Sequence, residues 1–202
     1  MGFNQLTPVV KNLLVINIIF YIGSAPLMKI FGMPWQSLAL SYHPQGFQPF
    51  QLVTHIFMHA NNMHLFFNLF AIFMFGPVLE VTWGAKRFLA YYFFTAFGAT
   101  LLHTAITYIT YGDFAQMPGL LGASGAVFGL LLGYGVYYPN NVIQLLIPPI
   151  PIKAKYFVMI YAGLELYLGI GNFNTGIAHF AHLGGALFGL VMIWYWRSGR
   201  RY

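Results

Sequence analysis

Residues 122–138 read GASGAVFGLLLGYGVYY, a run with no charged side chain and one hydroxyl, Ser124, among its first residues. Glycines recur every fourth position (Gly125, Gly129, Gly133), and a tyrosine pair (Tyr137, Tyr138) closes the run before Pro139. No water-facing surface can be made from such a stretch. Its neighbours on both sides have the same character. The 202-residue chain is 59% hydrophobic and only 6% charged, where a soluble domain carries about 25% charged residues. Lipid must therefore be the solvent for most of the chain, and the fold class expected is an all-α membrane bundle.

Turn and charge punctuation divides the apolar sequence into six candidate spans, at about 13–31, 54–79, 88–111, 123–138, 154–170 and 177–196. At roughly 20 residues per span, six helices account for the chain as one membrane domain, 1–202, with no appended soluble domain expected. The N-terminus does not read as a cleavable signal, because its apolar stretch runs on into a full span. Lys11, Lys86, Arg87, Lys153, Lys155, Arg197, Arg200 and Arg201 fall on one side of a six-span topology, and Lys29 falls on the other. The positive-inside rule then places both termini in the cytoplasm. The net charge of +6 belongs to these scattered flanks, which form no nucleic-acid-binding stripe. Without cysteine there is neither a disulfide nor a thiolate metal site.

Ionisable groups inside hydrocarbon mark function by default. The second span opens with His55, His59, His64 and Asn68, and the sixth carries His179 and His182. The spacing of four puts His55 with His59, and His64 with Asn68, on shared helical faces. Counted inward to the Tyr137/Tyr138 pair, to Trp194–Trp196 and to Glu80, Ser124, His182 and Asn68 each lie roughly 18–20 Å from the inner boundary. In a hydrocarbon layer of about 30 Å, all three sit at one depth, near the outer side. The glycine seam of the fourth span has a counterpart in the sixth, Ala181, Gly185 and Gly189. Pairing the two seams backbone to backbone would bring Ser124 beside His182.

A serine hydroxyl becomes a useful nucleophile when a base takes its proton, and imidazole titrates in the right range. The oxyanion formed on a carbonyl needs fixed donors. Asn68, His64 and the backbone N–H of Ser124 can supply them. Glu80 and Asp113 read as loop residues, so a Ser-His dyad is expected in place of a triad. Glu165, the one acid within a span, reads as snorkelling or bonded to loop backbone. His55 and His59 read as ties to loop backbone; as an i,i+4 pair they could also suit zinc. His103 reads as a buried hydrogen-bonded residue, and His179 as structural or interfacial. A histidine-lined transporter predicts polar residues spread across the full depth, whereas here they stop midway.

Three motifs, Gly122-x-Ser124-Gly125, His59-x4-His64-x3-Asn68 and Ala181-His182-x2-Gly185-x3-Gly189, resemble the signatures of the rhomboid family, in the family's order and over essentially the whole chain. The resemblance implies a cofactor-free intramembrane serine endopeptidase, the least elaborate six-helix bacterial form in the inner membrane, with its site opening outward. It implies Ser124 as nucleophile, His182 as general base, His64 and Asn68 as oxyanion partners, and Gly122 as the residue shaping the loop before the serine. Partners would be single-span or polytopic membrane-protein substrates within the lipid bilayer, with no nucleic acid. A relative that binds membrane proteins without cutting them is the nearest alternative. The chain departs from the family pattern at Phe128, where many bacterial members have tyrosine, and at Phe50-Gln51, where the family has Trp-Arg. The loop 171–176 and the fifth span are the candidate moving parts that would admit substrate.

Overall fold

The computed structural model describes residues 6–145, 149–171 and 177–199. Seven α-helices occur among them: α1 (Pro8–Ile30), a single turn α2 (Gln51–Thr54), α3 (Asn62–Trp83), α4 (Ala85–Tyr111), α5 (Ser124–Tyr137), α6 (Ala154–Ile170) and α7 (His179–Ser198). Three of them, α1, α3 and α4, are long and apolar enough by themselves to cross a membrane. The protein is a helical membrane protein, though not purely α. Strands β1 (Val142–Gln144) and β2 (Pro151–Lys153) form a small antiparallel hairpin in the proline-rich connector. The candidate cap, 171–176, lies outside the described residues apart from Gly171.

The largest correction to the sequence reading concerns the second span. Its helix begins at Asn62, not Thr54, and runs on through Glu80 to Trp83. Asn61 caps it, its side-chain oxygen accepting the His64 backbone N–H at 2.9 Å; an Asn at this position satisfies one of the orphan donors of the first turn. His55 therefore lies in a 3₁₀ turn and His59 in coil, so the two do not share a helical face. The preceding loop is organised by Gln51, which is 1% exposed. Its oxygen accepts from the N–H groups of Ser41 and Gln48, and its amide donates to the carbonyls of Ser37 and Gly46. Every hydrogen-bonding position of the side chain is used.

Helices α4, α5 and α7 form the centre, and glycine sets how closely they approach. A Cβ at Gly185 would lie 1.8 Å from the carbonyl oxygen of Gly125, so α5 and α7 touch backbone to backbone there. Further in, the two seams part. Gly129 faces Thr95, and both Gly133 and Gly189 face the Tyr91 hydroxyl, which donates to the Gly129 carbonyl at 2.8 Å. The seams thus pair directly at one level only, because side chains of α4 wedge between them below it.

At the other end of the bundle, Trp83, Tyr91 and Trp196 pack together, with Arg87 over Trp196 and Arg197 over Tyr137. Glu80, read from the sequence as a loop residue, is buried near the end of α3 and caps α1. Its carboxylate accepts from the backbone N–H groups of Val9 and Val10 and from the Thr7 hydroxyl. A carboxylate at a helix N-terminus also meets the positive end of the helix dipole. Glu80→Ala would leave buried donors unsatisfied and should cost about 1–3 kcal/mol, read as a lower unfolding midpoint in detergent. An unchanged midpoint would contradict this capping role.

His55 and His59 are each 2% exposed. Nδ1–H of His55 donates to the Gln51 carbonyl, while His59 Nδ1 lies 3.2 Å from the Phe57 carbonyl. Both approach backbone carbonyls of the short turns that precede α3. Burial holds the pKa of each below the usual histidine range, and His59 is brought to about 4 by burial and by the neighbouring His64. In the unfolded chain both titrate near 6.5, so below that pH the unfolded state binds more protons. The stability they contribute is present above about pH 6.5 and is lost as pH falls toward 4. Unfolding midpoints should drop across that window, and less steeply in His59→Gln. A flat midpoint from pH 7 to 4.5 would contradict the uncharged burial of these rings.

Candidate active site

Ser124 is the first residue of α5 and is half-buried. Its loop is pinned on two sides. The N–H of Gly122 donates to the His55 carbonyl at 2.9 Å, and Leu40 and Leu120 exchange both backbone bonds at 2.9 Å. Gly122 has φ +122, and a Cβ there would lie 2.8 Å from Nε2 of His64 and 3.7 Å from Oγ of Ser124. Glycine is needed on both counts, since the backbone is left-handed and the His64 ring occupies the space. The His64 ring and the Ser124 hydroxyl consequently flank the same small gap.

His64 stands in the first turn of α3, and Asn68 one turn on is buried, with Nδ2 donating to the His64 carbonyl at 2.9 Å. Nδ1 of His64 accepts from the Ala60 N–H at 3.5 Å. With Nδ1 accepting, the neutral ring carries its proton on Nε2, a nitrogen on the side of the ring next to Gly122. The Asn68 amide keeps a second N–H, and the first N–H groups of α5 have no helical partner. A cavity of about 10 Å³ adjoins Ser124, lined in part by His55, Thr100, Gly122 and Ala181; a volume of that order holds about one water molecule.

His182 lies in the first turn of α7, directly after Ala181, whose carbonyl oxygen is 3.7 Å from a Cβ built at Gly125. Ser124 precedes Gly125, so the close α5–α7 approach sets Ser124 and His182 at one level. Phe128 stacks flat on the His182 ring, with centroids 4.1 Å apart and planes at 8°. On its Nδ1 side His182 meets Glu165, whose Oε1 is 3.0 Å away. The other oxygen of Glu165 accepts from Nδ1 of His179 at 2.6 Å. Two expectations are overturned here. Among the described residues Glu165 is buried against two imidazoles, neither snorkelling nor bonded to loop backbone, and its carboxylate lies close to His182. His103 is also buried, its Nε2 3.5 Å from the Thr107 hydroxyl.

Among the described residues no group of His, Asp and Glu side chains has the spacing to hold a metal ion. The Glu165 carboxylate gives a separate oxygen to each imidazole, an arrangement that bridges two rings. What the site offers instead is a hydroxyl, an imidazole at the same level, and N–H donors across a narrow gap. That combination suits acyl transfer.

The Rhomboid domain matches residues 46–199, well over half of the chain. The chain is 27% identical to the rhomboid protease GlpG of Haemophilus influenzae over 152 residues, 75% of this chain and 71% of that one. It is 30% identical to YdcA of Bacillus subtilis, itself named for the family, over 194 residues covering 94% and 89% of the two chains. It is also 30% identical over 153 residues to the rhomboid protease AarA of Providencia stuartii, covering 67% and 51%. The protein therefore belongs to the rhomboid family of intramembrane serine proteases.

Proposed function

We propose that the protein hydrolyses a peptide bond in or near the transmembrane segment of membrane-protein substrates, with Ser124 as nucleophile and His182 as general base. The bundle is read as six spans in one membrane domain, with both termini cytoplasmic and the site near the outer face of a bacterial inner membrane. The clustering of Arg87, Arg197 and the tryptophans at the end remote from Ser124 supports that orientation. The observation that carries the reading is the contact of Gly185 with Gly125, which supports a serine and a histidine working at one level of adjacent helices.

In this mechanism Ser124 Oγ attacks the scissile carbonyl carbon while Nε2 of His182 takes the hydroxyl proton. The oxyanion receives hydrogen bonds from Nε2–H of His64, from the Asn68 amide and from the Ser124 N–H. Collapse of the tetrahedral adduct breaks the C–N bond, and His182 passes its proton to the leaving amine. Water activated by the same imidazole then hydrolyses the acyl-enzyme. Gly122, Gly125, Gly185 and Gly189 hold the spacing, and Phe128 holds the plane of the His182 ring.

The test is cleavage of a single-span membrane substrate by the full chain in proteoliposomes. Cleavage should proceed with EDTA present and stop after treatment with a fluorophosphonate. Cleavage that depends on a metal, or that resists the phosphonate, would refute the serine mechanism.

A further inference from the structure

We infer that Glu165 is a positioning residue for the reaction, completing a Ser124–His182–Glu165 relay; the inference rests on the protease reading given above. The helix α6 buries only two of its 17 residues, Ala154 and Glu165. A carboxyl group is costly to bury unless it is paired, so burying this one on an otherwise lightly covered helix demands partners. It has two: His179, at the first position of α7, and His182 one turn further along.

The geometry specifies what the carboxylate does. A carboxylate oxygen accepts hydrogen bonds, so the ring nitrogen facing it is the one that carries hydrogen. Nδ1 of His182 is buried, lies 3.0 Å from Glu165 Oε1 and has no other polar partner among the described residues. The contact is a close charge-to-ring approach, with the carboxylate oxygen set beside Nδ1. With the proton held on Nδ1, Nε2 presents a bare lone pair, as a base acting on Ser124 requires. When that base takes up a proton, the carboxylate faces the new positive charge.

His179 fixes Glu165 through its other oxygen at 2.6 Å, and Phe128 fixes the plane of the His182 ring from its face. The ring is thus constrained on its edge by one helix and on its face by another. The ordinary alternative, a polar tie between α6 and α7, requires only that the two helices be joined. It does not require the carboxylate to sit beside the ring nitrogen opposite the one that must act.

The test uses the full chain in detergent micelles. It compares wild type, Glu165→Gln and Glu165→Leu by three measurements: the rate of fluorophosphonate labelling of Ser124, kcat and KM for substrate cleavage, and the ¹⁵N imidazole resonances of His182. Glu165→Leu should slow labelling and kcat on the order of 10²–10⁴-fold, the range seen when a base loses its orienting acid. KM should stay within about threefold, as for an interaction made only in the transition state. The ¹⁵N signature should move from an Nδ1–H tautomer in wild type to a mixture of tautomers. Glu165→Gln, which keeps the shape and can still accept a hydrogen bond, should fall between the two. If Glu165→Leu does not melt cooperatively, the isosteric Gln variant decides. Wild-type labelling rates in both variants, or slowed labelling with the tautomer unchanged, would reduce Glu165 to a packing role. Failure of the wild type itself to label at Ser124 would remove the protease reading along with this one.

Discussion

Ser124→Ala and His182→Ala should each abolish cleavage, lowering the rate by at least about 10⁴-fold, and the double variant should be no worse than either single one. The reason is physical. In the proposed mechanism the hydroxyl and the imidazole act as one unit, since an alkoxide cannot form without the base and the base has no proton to take without the hydroxyl. Removing either leaves only the donors around the gap, namely His64, Asn68 and the first N–H groups of α5. These stabilise a tetrahedral adduct that no longer has a way to form. Rates measured in proteoliposomes for the four proteins check this directly. Additive losses would mean that the two residues act in separate steps. Retained cleavage in His182→Ala would mean that another base serves Ser124.

Gly185→Ala should also have a large effect, although the residue has no chemistry of its own. A methyl group placed there would lie 1.8 Å from the Gly125 carbonyl oxygen. That oxygen is backbone, so relief requires α5 and α7 to separate by more than about 1 Å, a misplacement that can lower rates about 10²-fold. Overpacking of this kind also costs about 1–3 kcal/mol of stability, and more where backbone must move. Labelling should fall at least about 100-fold, and the unfolding midpoint should fall with it. Gly163→Ala is the matched control, because a Cβ at Gly163 meets nothing within 4 Å; it should label at the wild-type rate. Equal behaviour of the two alanine variants would show that helix proximity at Gly185 does not set the activity.

The parts legible in the sequence were those written in local patterns. Apolar runs and their punctuation located the long helices; the α6 interval 154–170 coincides with the observed helix. Motif spacing singled out Ser124 and His64, which both lie close to Gly122. What escaped depended on contacts between distant segments. Nothing near Glu165 marks it as a partner of His182, since the two sit on different helices and meet only when α6 lies against α7. Glu80 read as a loop acid because its partners are the N–H groups of Val9 and Val10, some 70 residues earlier. The second span was started too early because residues 54–59 are apolar enough to continue a helix; Asn61 stops the pattern as a cap, a signal visible only in hindsight. Gln51 passed as a departure from the family's Trp-Arg pair, yet its amide organises the loop through bonds to four separate backbone groups. The paired seams were half right for a similar reason, since sequence spacing cannot reveal that Tyr91 enters between them.

The central claim is that the Ser124 hydroxyl is the group made nucleophilic by its surroundings. The most direct measurement is tandem mass spectrometry of the folded protein after reaction with a fluorophosphonate, locating the adduct to a residue. The account predicts one phosphonyl group per chain, on Ser124, with none on the heat-denatured protein. An adduct on any other side chain, or equal labelling of Ser124 after denaturation, would contradict it.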